Sequence, residues 1–122
     1  MNIDMKTYHQ ACKIICSAGI LTTYSAYDYF CLAVCLVDED ESQLTLLTKS
    51  VYPTIARMRG ISSSNVQRNM QTALAAAWKN RQDSLQKLML RVCGGSFKQK
   101  PTPGEFISLA VLILALEREK SF

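Results

Sequence analysis

Proline and glycine are scarce in this chain, with three and five residues among 122, which excludes collagenous and low-complexity architectures. No apolar run approaches the roughly 18 residues that span a bilayer as a helix. The longest, residues 106–116, is interrupted by Ser108. The N-terminal stretch has no apolar segment of the kind that secretion signals carry, so a cytosolic protein with no membrane partner is expected. Histidine occurs once, as His9, and no Ser/His/Asp set assembles around it. There is no glycine-rich loop to cradle a phosphate. The acids of the first half are bunched at Asp38, Glu39, Asp40 and Glu41, a poor arrangement for an acid–base pair. These absences argue against an enzyme: no catalytic residue, cofactor or small-molecule substrate is assigned.

What is present is an ordinary globular composition, 48% hydrophobic and 20% charged. The length suits one domain with a single core that needs neither disulfide nor metal. The five cysteines are odd in number, which disfavours a disulfide framework in a reducing compartment. Cys12/Cys16 and Cys31/Cys35 are each spaced to share a helix face, but their flanks are apolar. They read as core residues and not as zinc ligands.

The net charge of +4 is unevenly distributed. Residues 1–48 carry a net −4, whereas residues 49–100 carry ten basic residues against the single acid Asp83. A basic half of this density attracts polyanions or acidic partners.

Hydrophobic periodicity predicts an all-α chain of about six helices, without strand-like alternation. The first covers residues 4–17, and Gly19 stops it. The second opens with Ser25 as N-cap and Asp28 three residues later, an approximate capping box. The acidic run 38–41 then reads as a connection whose charge suits the start of the next helix. The third helix spans residues 44–59, with Pro53 kinking it or marking a restart near Tyr52. The fourth spans 63–79, and the fifth begins at Asp83 and ends at Gly94-Gly95. A basic loop follows at 94–101. The sixth opens with Thr102 as N-cap, Pro103 at its first position and Glu105 completing a capping box, and it closes with Arg118 and Lys120.

Residues 52–71 have helix-turn-helix spacing. Ala56 stands four before Gly60, Ile61 follows, and Val66 and Met70 come six and ten after the glycine. A small residue lets two helices cross closely, and glycine permits positive φ at the turn. Ile55, Ile61, Val66 and Met70 form a shared apolar core, and the serines supply an N-cap. Arg59 departs from the usual apolar residue before the glycine. At 100° per residue, Val66, Met70, Ala73, Leu74 and Ala77 share one face of the fourth helix. Ser64, Arg68, Gln71, Thr72, Ala75 and Lys79 share the other. That outward face is polar and cationic with no acid, which suits a major groove. Arginine reads guanine O6 and N7, while glutamine and asparagine read adenine N6 and N7. The candidate base contacts are Ser63, Ser64, Asn65, Gln67, Arg68, Gln71 and Thr72. The candidate phosphate contacts are Lys49, Arg57, Arg59, Ser62, Lys98 and Lys100.

Several motifs point to a family. They are Tyr52-Pro53-x-Ile55-Ala56, Ser64-x-Val66-x-Arg68, Ala77-Trp78 and Lys100-Pro101-Thr102-x-x-Glu105-Phe106-Ile107. Gly19, Tyr27-x-Tyr29 and Thr48-Lys49 join them upstream. Together they resemble the C-terminal effector domain of the master sporulation response regulator, stage zero sporulation protein A, of endospore-forming bacteria, over residues 8–120. The resemblance implies a six-helix domain whose third and fourth helices read duplex DNA, often as two domains on adjacent sites, in contact with RNA polymerase. It implies Arg68 as the surest base contact. The family's acidic residue is replaced by Gln67, and further basic residues by Asn65, Gln71 and Thr72, which implies a different cognate sequence. The phosphorylatable receiver domain of the family has no counterpart here, so residues 1–122 are expected to be a single effector-type domain.

The last helix is more apolar than its family counterpart. A helix apolar on nearly every side is either buried or packed on a partner. A homodimer through Leu109, Leu112, Ile113 and Leu116 is therefore an expectation beside burial in the monomer. The competing functional reading is a protein-interaction module, whose basic face docks an acidic partner or a full-length relative. Salt-sensitive duplex binding with a sequence preference separates the two.

Overall fold

Asp4 begins the first helix. One carboxylate oxygen accepts the Lys6 backbone N–H at 3.0 Å and the other accepts the Thr7 hydroxyl at 3.3 Å, satisfying donors that a helix start leaves open. The computed structural model describes residues 2–120. Among these the fold is all-α, without strands. Its helices are α1 (Met5–Ser17), α2 (Ser25–Glu39), α3 (Tyr52–Arg59), α4 (Ser63–Asn80), α5 (Gln82–Cys93) and α6 (Pro103–Glu119).

The region expected as one long third helix is divided. A 3-10 turn, Glu41–Leu46, leads into a π-helical turn, Leu47–Val51, and α3 begins only at Tyr52. Pro53 accounts for the restart. It has no N–H to donate, and its ring would collide with the carbonyl four residues earlier, so it is accommodated in the first turn of α3. The start of α2 also differs from expectation. Tyr24 is the N-cap, Ser25 is already helical, and no side chain caps the end. Asp28 does not close a capping box, because its carboxylate faces Tyr8 and Arg59 instead. The start of α6 is built as expected. Thr102 Oγ1 accepts the Glu105 N–H at 3.1 Å, and Glu105 returns an oxygen to the Thr102 N–H at 3.0 Å.

The centre of the molecule is α2, buried continuously from Tyr29 to Val37 and packed by α1, α3, α4 and α6. Phe30 meets Phe106 of α6 edge to face, with centroids 4.9 Å apart. Phe106, Ile107, Leu109, Ala110, Ile113 and Leu114 of α6 are all in the core, while Leu112 and Leu116 are 45% and 36% exposed. This corrects the dimer candidates. Leu109 and Ile113 are core residues of the monomer, and only Leu112 and Leu116 of that set face outward.

The acidic run is more than a connection. Asp38 and Glu39 lie in α2, and Asp40 caps the 3-10 turn by accepting the Ser42 N–H. Asp38 also pairs with Arg118 at 2.6 Å. Arg118 in turn donates to Thr7 Oγ1 at 2.9 Å and to Gln10 Oε1 at 3.4 Å. One guanidinium thus ties α1, α2 and α6 together. The core reading fits Cys31 and Cys35, which are buried; burial pushes the Cys31 thiol pKa up and that of Cys35 up to about 12. Cys12 is half-buried, with its sulfur 3.5 Å from that of Cys31, and Cys16 is exposed, contrary to expectation. Among the described residues no cluster could hold a metal ion, and no helix is long and apolar enough to cross a membrane.

Candidate nucleic-acid interface

The turn between α3 and α4 is three residues long, Gly60, Ile61 and Ser62. Gly60 has φ +69°, the left-handed conformation that its lack of Cβ permits. The N–H groups of Gly60 and Ile61 both donate to the Ala56 carbonyl, closing α3 in the manner of a Schellman turn. Ser62 then caps α4, its hydroxyl accepting the Asn65 N–H at 3.2 Å. Ala56 is buried, and α3 packs against α4.

The two faces of α4 divide as the sequence periodicity requires. Val66, Met70, Ala73, Leu74 and Ala77 are all buried, at 0–1% exposure. Ser64, Arg68, Gln71, Thr72 and Lys79 are exposed, and Ser63, Asn65 and Gln67 are half-buried on the flanks. Burial of the apolar face fixes the rotation of the helix, so its polar face has one orientation. Arg68 donates to the side-chain oxygen of Asn65 one turn earlier. Arg68 remains exposed to solvent.

The phosphate candidates other than Arg59 fall into three environments. Lys49 is exposed in the π-helical turn, and Arg57 is exposed on α3 with Nη2 3.2 Å from Thr54 Oγ1. Ser62 accepts the Asn65 N–H as the α4 cap, a role that uses an oxygen lone pair and not the hydroxyl hydrogen. Lys98 and Lys100 are exposed in the α5–α6 loop, which is anchored to α5. There Gln86 accepts the Phe97 N–H at 2.7 Å and donates to the Phe97 carbonyl at 2.9 Å.

Arg59 differs from the rest. Its Nε lies 2.7 Å from Asp28 Oδ2 and its Nη2 lies 2.9 Å from Asp28 Oδ1, a bidentate pair. Tyr8 donates to the same Oδ1 at 2.7 Å. Burial raises the proton affinity of Asp28, but the hydrogen bonds from Arg59 and Tyr8 outweigh it and hold its pKa below the usual carboxylate value. The Asp28 contact raises the pKa of Arg59 correspondingly. Sequence reasoning missed Asp28 and Tyr8 here. The available signal was Arg59 itself, a cation standing where an apolar residue is usual.

A family model described as Sporulation initiation factor Spo0A C terminal matches residues 11–114. The chain belongs to this family, which is one of DNA-binding regulatory effector domains and not of enzymes.

Proposed function

We propose that the protein is a sequence-specific double-stranded-DNA-binding transcriptional regulator that lays α4 in the major groove. The observation that carries this reading is the division of α4: one face wholly buried, the other polar, cationic and free of acid. Arg68, Gln67, Gln71, Asn65, Thr72, Ser63 and Ser64 then face base edges. Arg68 supplies the principal bidentate contact to a guanine. Lys49, Arg57 and Ser62 lie along the backbone of the duplex, and Lys98 and Lys100 add a second point of attachment from the α5–α6 loop. A cytoplasmic location belongs to the same reading, supported by family membership. Family membership supports occupancy of adjacent sites by two copies and contact with RNA polymerase. If α6 contributes to pairing, Leu112 and Leu116 are the residues exposed to do so.

Selection from a randomised duplex pool tests the reading. Enrichment of one motif, bound with strong salt dependence, is the expected result. Recovery of an unenriched pool bound only through salt-sensitive electrostatics would overturn sequence-specific recognition. It would favour docking of an acidic protein partner.

A further inference from the structure

Of the cations assigned to the DNA interface, Arg59 alone forms an ion pair among the described residues. The pair has the form an arginine takes on a phosphate: two N–H groups on two oxygens of one anion. The anion comes from α2, 31 residues earlier in the chain, so this is not an incidental pair along one helix surface. Tyr8 reaches in from α1 to hold one of the same oxygens, which fixes the carboxylate where the guanidinium meets it. Arg59 ends α3, next to the turn that leads into α4, and its side chain is 40% exposed. A backbone phosphate approaching that turn therefore finds the arginine within reach but already satisfied.

We infer that Asp28 is an internal counter-ion that holds Arg59 out of phosphate contact and so limits how tightly the domain grips duplex DNA. The inference rests on the DNA-binding reading above. Exchanging Asp28 for a phosphate replaces one anion by another at Arg59. It also leaves the partly buried Asp28 carboxylate without its arginine, held only by Tyr8, a cost that the phosphate contact must first make good. Arg59 thus adds no counter-ion release in the native protein. Removing the charge of Asp28 while keeping its shape frees one further cation beside α4. Tyr8 is a positioning residue for the pair.

The test uses anisotropy titrations of the full chain on one duplex between about 50 and 200 mM salt. The proteins are wild type, Asp28→Asn and the double variant Asp28→Asn/Arg59→Gln. One extra phosphate contact steepens the salt dependence by about 0.9 in log K against log salt. Asp28→Asn should therefore bind more tightly at low salt and lose about 3-fold more affinity across that range than wild type. The double variant, which replaces a neutral pair by neutral amides, should return to the wild-type slope. A slope for Asp28→Asn equal to wild type overturns the inference. So does a double variant shallower than wild type by one phosphate, which would mean that Arg59 already holds DNA. If Asp28→Asn alone does not fold, the double variant still tests whether Arg59 holds DNA in wild type, and a slope shallower by one phosphate overturns the inference. Absence of any salt-dependent duplex binding by wild type would remove the DNA-binding reading and this inference with it. Equal slopes for wild type and Asp28→Asn, with both proteins binding, remove the inference alone.

Discussion

Arg81 donates from Nε to the carbonyl oxygen of Gly19 across 2.9 Å, joining the end of α4 to the turn that follows α1. Gly19 is buried there at φ +92°, and a Cβ built on it would lie 3.0 Å from Arg81 Cβ. Both the backbone conformation and the space require glycine. Gly19→Ala should lower stability by about 1–3 kcal/mol, read as a lower urea midpoint at unchanged slope. Arg81→Ala, which loses the hydrogen bond without backbone strain, should cost about 1 kcal/mol. A Gly19→Ala protein as stable as wild type would show that the turn adapts freely.

Asp28 gives the stability a defined pH dependence. Its pKa is lower in the folded chain than its ordinary value, so the folded state binds the proton less readily than the unfolded one. The resulting stabilisation is complete above the ordinary carboxylate pKa, about 4. It is lost as pH falls through the lowered folded value. The facing groups, Tyr8 from α1 and Arg59 from α3, stay protonated throughout that window. Asp28→Asn should be about 1 kcal/mol less stable than wild type near pH 7, and the gap should close in strong acid. A gap that stays constant from pH 7 to pH 3, followed by urea denaturation, would contradict this account of the carboxylate.

Two leucines three positions apart on α6 should behave differently. Leu109 is 6% exposed and Leu112 45%. Leu109→Ala removes core contacts and should cost about 2–5 kcal/mol. Leu112→Ala should stay within about 0.5 kcal/mol at concentrations where the protein is monomeric. Comparable losses at both positions would mean that Leu112 is also covered.

Phe106 packs edge to face on Phe30 at the junction of α6 with α2, and both are fully buried. Phe106→Ala should cost about 3–5 kcal/mol, a large part of the total stability of a domain this size. Thermal unfolding by circular dichroism would show it as a large fall in Tm, and an unchanged Tm would remove Phe106 from the core.

These outcomes also mark what local sequence pattern reveals. Gly60, Ala56 and the α4 periodicity are visible because they repeat within one or two turns, and the Thr102/Glu105 capping box lies within four residues. The Pro53 restart was legible as an alternative, but the 3-10 and π-helical turns before it were not, since nothing in residues 44–51 distinguishes them from α-helix. The pairs Asp28–Arg59 and Asp38–Arg118 join residues 31 and 80 apart, and no periodicity encodes such a meeting. On α6 the apolar residues nearly encircle the helix, so the pattern could not separate the buried Leu109 and Ile113 from the exposed Leu112 and Leu116. The candidate base-reading face came from the sequence; the masking of Arg59 came only from the fold.

The central claim is that Arg68 on the outer face of α4 reads a base. Its most direct test is the affinity of Arg68→Ala for the duplex enriched from the randomised pool and for a scrambled duplex, at one salt concentration. The account predicts a loss of about 1–3 kcal/mol on the enriched duplex and a much smaller loss on the scrambled one, so that discrimination between them shrinks. Equal losses on both duplexes would reduce Arg68 to a phosphate contact and contradict the assignment of α4 as the reading helix.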